Sequence, residues 1–208
     1  MKHIALTFDD GPNTVTTPQV LDILAENGIP ASFFLIANNI TPESARVAKR
    51  AFDMGCEIEN HTVSHIAMDG MTAEEIRGEI DGCTEKILAI TGRPPRFFRP
   101  PFIAMSQTVY DTVELTMICG VGCEDWVPQV SAEERSRRIL EQTRDGDLLL
   151  LHDMKGNGNT VAALREVIPE LKKRGFAFVT CGELFRVKGV TPVRGRLYSN
   201  VFQTARRL

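Results

Sequence analysis

The feature that most constrains this chain is an alternation that runs through almost all of it. Short apolar runs of strand length are separated by windows with a helical period. The runs fall at residues 3–8, 31–36, 56–59, 96–99, 115–119, 147–151 and 177–180. The helices between them have readable starts. Thr17-Pro18 and Thr41-Pro42 each place a capping hydroxyl before a proline at the first helical position. Thr72 with Glu75, and Ser131 with Glu134, fit the capping box. Residues 74–90 carry Ile76, Ile80, Cys83, Ile87 and Leu88 on one face. Residues 161–173 do the same with Leu164, Val167, Ile168 and Leu171. About seven β-α units imply a parallel sheet covered by helices, an α/β fold. Units of this number most simply close into a barrel with its site at the C-terminal ends of the strands. An open doubly wound sheet is the alternative.

Bulk properties narrow the function classes. A chain of 208 residues with 43% hydrophobic content suits one globular domain with a sizeable core. A net charge of −3 gives no basic face for nucleic acid. No run approaches the roughly 18 apolar residues that span a bilayer. No secretory signal is visible, so the chain is expected to be either cytoplasmic or an excised module of a secreted enzyme. The five cysteines are scattered in apolar segments and read as reduced, buried thiols. Residues 187–208 hold five basic and no acidic side chains (Lys188, Arg194, Arg196, Arg206, Arg207) and read as a tail or a strap across the barrel. Nothing in the sequence indicates a protein partner.

Chemistry-bearing residues gather at the ends of the runs. Asp9 and Asp10 stand side by side where the first run meets Gly11-Pro12. Like charges so close raise each other's ionisation cost unless something positive lies beside them. The chain has four histidines. His3 begins a run and reads as surface. His61 and His65 form an H-x3-H pair just after residues 56–59; on a helical turn, both imidazoles reach one ion. His152 ends "DLLLLHD", and Arg99 opens "RPPF". In a parallel α/β domain these ends lie on one face. Two histidines and an aspartate make a sound three-ligand zinc site with open positions. A divalent cation then holds one aspartate ionised and leaves the other free for proton transfer.

These residues resemble a known family. "TFDDG" (7–11), "HTVSH" (61–65), "RPPF" (99–102), "EDW" (124–126) and "LLH" (150–152) resemble, in order, the five motifs of the polysaccharide deacetylases, carbohydrate esterase family 4. The resemblance spans about residues 3–186, so 1–186 is expected to be the catalytic domain. It implies a distorted (β/α)7-type barrel and removal of acetyl groups from carbohydrate with a divalent metal, usually zinc and sometimes cobalt, nickel or manganese. It makes Asp9 the general base, paired with Arg99, and Asp10, His61 and His65 the metal ligands. His152 becomes the general acid. Leu150, Trp126 and Pro101 line the substrate pocket. Pro100 and Pro101 have no N–H, so the first amide available to an oxyanion after Arg99 is that of Phe102.

The fourth motif departs from the family pattern D-x-x-D-W. Its first aspartate is Gly122 here, so the usual anchor for His152 is expected to be missing. Asp125 or Glu124 is expected to replace it, with at most one of the two turned inward. The stretch "VELTMICGVGCEDW" is more similar to the acetylxylan esterases of the family, which implies O-acetyl removal from xylan-type sugars. N-deacetylation of N-acetylglucosamine polymers (peptidoglycan or chitin) is the alternative. An inactive carbohydrate-binding relic is a third reading, opposed by the presence of every base, acid and ligand.

Overall fold

The computed structural model describes residues 1–204. The chain begins with β1 (Lys2–Gly11), α1 (Thr16–Asn27), β2 (Ser32–Leu35), α2 (Pro42–Asp53), β3 (Glu57–Asn60) and α3 (Ala73–Thr91). It continues through β4 (Phe97–Phe98), α4 (Gln107–Thr112), β5 (Thr116–Ile118), β6 (Val121–Gly122) and α5 (Ala132–Gln142). It ends with β7 (Leu148–His152), α6 (Gly158–Lys173), β8 (Phe176–Phe178), α7 (Cys181–Val187), β9 (Leu197–Asn200) and β10 (Gln203–Thr204). Each of the seven apolar runs contains a strand.

β1 is the central strand. Residues 4–9 are all buried, as in a strand covered on both faces. It pairs in parallel with β2 and β7, and its start pairs with β8. The sheet runs β10-β9-β5-β4-β3-β2-β1-β7-β6. An antiparallel bridge from Asp147 to Asn200 brings β9 back beside the start of β7. The path β1-β2-β3-β4-β5-β9-β7 is therefore a nearly closed seven-stranded ring, and the fold is a distorted (β/α)7 barrel, not an open sheet.

The C-terminal stretch contributes to that ring. Leu197–Asn200 forms β9, parallel to β5, with Leu197 and Tyr198 buried. Tyr198 meets Phe185 edge to face, 5.0 Å between ring centres. Lys188 and Arg194, two of the basic residues, pair with Asp145 and Glu114 at 2.5 Å each. Arg206 and Arg207 lie outside the described residues.

Helix starts follow the sequence with two exceptions, one of them at α5, where Ser131 caps but Glu134 turns to Arg137 and Arg138 and does not close the box. Thr41, Thr72 and Ser131 each accept from the N3 amide of α2, α3 and α5. Thr17 lies inside α1 instead of capping it. Asn13 takes the capping role, its Oδ1 accepting from the Thr16 amide at 2.7 Å, while the Thr17 hydroxyl turns to Asp153. Along α3, Ile76, Ile80, Cys83 and Ile87 are buried, but Leu88 is exposed because it falls past the edge of that stripe. On α6, Leu164, Val167, Ile168 and Leu171 are all buried against the barrel. Burial of such a side chain stabilises by roughly 1.5–3 kcal/mol. All five cysteines are free thiols. Burial pushes Cys56 up to about 11 and Cys83 and Cys123 up to about 12, out of reactive range at neutral pH. No helix among the described residues is long and apolar enough to cross a membrane.

Candidate active site

A backbone irregularity at the end of β1 separates its two aspartates. Asp10 has φ 70°, left-handed backbone that costs a non-glycine residue roughly 1–2 kcal/mol. Register with β2 shifts between Asp9 and Gly11. Asp9 Oδ1 accepts from Arg99 Nη1, inside the barrel mouth. Arg99 Nη2 donates to Thr7 Oγ1 at 2.8 Å, and the Thr7 hydroxyl donates to the Leu149 carbonyl at 2.7 Å. The guanidinium lies 4.3 Å from the centre of the Phe34 ring. These contacts fix Arg99, which is 1% exposed, and through it one oxygen of Asp9.

Asp10, His61 and His65 converge as the sequence implies. One ligand atom from each lies within 4.8 Å of the others. The histidines are not on a helical turn. They lie in a loop after β3 in which Thr62 (φ 72°) and His65 (φ 57°) are both left-handed, and these turns bring the rings to 4.8 Å. Asn60 and Glu79 hold that loop. Asn60 Oδ1 accepts from the Thr62 amide at 2.9 Å. Glu79, on α3, accepts from the Val63 and Ser64 amides at 2.9 and 2.8 Å. Gly82 lets α3 approach, since a Cβ there would come 2.9 Å from Val63 Cγ2.

The donor set fits a divalent cation. His61 Nδ1 donates to the Arg99 carbonyl at 2.6 Å, which leaves Nε2 with its lone pair free. Asp10 Oδ1 is buried without a hydrogen-bond partner, 3.5 Å from His61 Nε2 and 3.3 Å from His65 Nε2. Burial alone would raise the Asp10 pKa, but the imidazoles of His61, His152 and His65 outweigh it and hold it low. Burial and neighbouring His61 lower His65. A low Asp10 and a low His65 favour the carboxylate and the neutral imidazole that ligate a cation.

Across the mouth, β7 pairs with β1 so that His152 is beside Asp9. The contact that holds His152 comes from Asp125, one of the two replacements expected for the position that Gly122 leaves empty. Asp125, fully buried, accepts from His152 Nδ1 at 2.8 Å and from the His152 amide at 2.7 Å. Glu124, with φ 60°, turns outward to Arg138. Gly122 faces the pocket wall, where a Cβ would meet the Trp126 ring at 3.4 Å and Leu150 at 3.6 Å. Burial would lower the His152 pKa, yet the Asp125 carboxylate, with Asp9 and Asp10, lifts it to about 9. The Trp126 ring stands edge-on to His152 at 5.4 Å and is 45% exposed, so it walls the mouth without joining the core. Pro101 is buried, and the Phe102 ring meets His65 edge to face at 4.7 Å. Phe102 is also left-handed, φ 55°.

Sequence reasoning assigned no role to Thr7, Glu79 or Asp153. Asp153 follows His152 and is fully buried, its Oδ2 accepting from the Thr17 hydroxyl. Burial pushes its carboxyl up to about 7, and the charges of Asp10 and Asp9 add to that. It also explains Gly11, where a Cβ would come 2.7 Å from Asp153 Oδ2. The signal that pointed there was the Thr17 hydroxyl, read as a helix cap.

Fold and site together define an α/β barrel whose mouth holds a candidate three-ligand cation site flanked by an Arg-paired carboxylate and an Asp-held histidine, an arrangement suited to hydrolysis. Residues 1–118 match the family model described as polysaccharide deacetylase. The chain belongs to the polysaccharide deacetylase family. It is 44% identical over 96% of its length to a bifunctional xylanase/deacetylase of Pseudobutyrivibrio xylanivorans, and spans 33% of that longer protein. It is 36% identical to a peptidoglycan-N-acetylglucosamine deacetylase of Bacillus cereus, over 90% of each chain. The solved family 4 acetyl xylan esterase of Clostridium thermocellum, in complex with a cobalt ion, superposes with TM-score 0.93. It is 38% identical and the match covers 96% of this chain and 99% of that one.

Proposed function

We propose that this domain is a divalent-metal-dependent hydrolase that removes O-acetyl groups from xylan-type carbohydrate. The observation that carries the hydrolytic reading is the geometry of one mouth, where a candidate cation site lies between the Asp9–Arg99 pair and the Asp125–His152 pair. Similarity to a xylanase/deacetylase and an acetyl xylan esterase supports the choice of substrate.

Asp10, His61 and His65 would hold the cation, which when bound polarises the acetyl carbonyl and makes water a nucleophile near neutral pH. One Asp and two His suit zinc, and cobalt, nickel or manganese fit the same donors. Asp9 takes the proton of the attacking water on Oδ2, because Arg99 occupies Oδ1 and fixes the orientation. The Phe102 amide donates to the oxygen that becomes negative, on a segment stiffened by Pro100 and Pro101. Leu150, Trp126 and Pro101 enclose the acetyl methyl. His152 holds its proton on Nε2, its Nδ1 being bonded to Asp125, and gives it to the departing sugar oxygen. General acid help of this kind is worth typically 10²–10⁴-fold.

N-deacetylation is the second reading, and a specific observation favours it. Because Asp125 fully anchors His152, the site can protonate the poorer nitrogen leaving group, the bond cleaved by the Bacillus cereus relative its name describes. Acetate release from acetylated xylan and from N-acetylglucosamine oligomers, with and without a chelator, separates the two. Faster release from xylan, abolished by chelation, is expected. Equal or faster release from the N-acetyl substrate overturns the O-acetyl preference, and release indifferent to chelation removes the metal from the reaction.

A further inference from the structure

One buried guanidinium has no part in the reaction so far. Arg135 lies at the start of α5 and is 2% exposed. Its Nε donates to the Val130 carbonyl at 3.0 Å and its Nη2 to the Val127 carbonyl at 3.1 Å. Its Nη1 donates to Asn157 Oδ1 at 2.5 Å and to Thr160 Oγ1 at 2.8 Å. The two carbonyls belong to the segment that follows Asp125, and the two side chains belong to the start of α6. Both side chains also reach Asp125, Asn157 with its other polar atom and Thr160 with the same hydroxyl. The Thr160 hydroxyl donates to Asp125 Oδ2 at 2.8 Å. Asn157 Nδ2 lies 3.4 Å from the same oxygen and donates to the His152 carbonyl at 2.9 Å.

The chemistry of these groups sets every direction. A guanidinium only donates. Asn157 must therefore turn Oδ1 to Arg135, which leaves its Nδ2 for Asp125 and His152. Thr160 must accept from Arg135, which leaves its single O–H for Asp125. Stability alone does not call for this arrangement, because a buried charged network is often matched by apolar side chains of similar volume. We propose that Arg135 is a positioning residue: it orders the donors that hold Asp125 against His152, and so aims the proton given to the leaving group. The assignment rests on the reading of His152 as that proton donor.

The test compares two acetyl donors. One is whichever glycan the wild type cleaves, acetylated xylo-oligosaccharide or N-acetylglucosamine oligomer, whose leaving group needs a proton. The other is 4-nitrophenyl acetate, whose phenolate leaves without one. Arg135→Met is expected to lower kcat on the glycan ~10–100-fold at unchanged KM while leaving the phenyl ester within ~3-fold. Thr160→Val should show the same split. Arg135→Lys, which also only donates, should recover most of the loss, and it and Thr160→Val carry the comparison where Arg135→Met does not fold. Equal loss on both substrates, no loss on either, or a lysine no better than methionine overturns the assignment. A wild type inactive on both glycans overturns the hydrolase reading itself, and the assignment with it.

Discussion

His65 and His152 share one mouth and shift in opposite directions. Burial and neighbouring His61 lower His65, whereas Asp125 overcomes burial and lifts His152 to about 9. Environments that push like groups apart are how one site holds a ligand and an acid together. His152 must be protonated to donate, so activity should persist up to about pH 9 before falling on the alkaline side. Asp125→Asn removes the charge that raises it and leaves burial, which lowers it. The alkaline limb of kcat is expected to move to lower pH, and a limb that stays in place refutes the pairing. Asp9→Asn should keep cation binding by calorimetry while turnover drops roughly 10²-fold or more; undiminished turnover would remove Asp9 from the base role. Asp9, Asp10, His61, His65, Arg99 and His152 were legible because histidines are few and all six lie at or just beyond strand ends. Arg135, Thr160 and Asp153 were not, because their roles depend on contacts between side chains far apart in sequence. The inward turn of Asp125 was open for another reason: it follows from left-handed Glu124, which the sequence does not mark.

At the scale of elements, β3 carries a tension between anchoring and charge. Glu59 is buried and its Oε2 accepts from the Arg96 and Phe97 amides at 2.7 and 2.8 Å, tying β3 to the start of β4 and so aiming Arg99. Burial, with the charge of nearby Glu57, pushes its carboxyl up to about 8. A folded pKa above the unfolded value of 4.5 means that the fold holds this proton more tightly. Stability therefore falls as pH rises from about 4.5 to about 8 and levels off above that range. Glu59→Gln keeps an oxygen for both amides without a charge. Its melting temperature is expected to exceed that of the wild type at pH 8 and to converge with it at pH 4.5; a deficit at pH 8 would contradict the account. Helix caps were legible where hydroxyl and N3 acceptor stand at fixed spacing, as at Thr72 and Glu75. Thr17 had the Thr-Pro signature that Thr41 shares and a different fate, because Asp153 lies 136 positions away in sequence and competes for its hydroxyl.

At the scale of the whole molecule, six of the seven strands of the ring were readable from the alternation; the seventh run became β8, which pairs with β1 outside the ring, and β9 was not readable. Leu197–Asn200 is short and sits in a basic stretch with no flanking helix of its own, so its pattern resembles a solvated end. Only its partners, β5 on one side and the bridge to Asp147 on the other, make it a strand. A chain ending at residue 186 would leave β5 without a partner on that side and Asp147 without its bridge, and an open edge invites association. Such a chain is expected to aggregate or to lose its cooperative melt in calorimetry, and a monomeric, cooperatively melting product would count against the ring. The same placement has a bearing on synthesis. Within this domain β1 precedes every other strand of the ring, and β9, which closes the gap between β5 and β7, follows them all. On a ribosome, β1 through β7 can assemble as they emerge, but the ring cannot shut until residue 200 has cleared the exit tunnel, so the domain carries an open seam until its last ring strand is made.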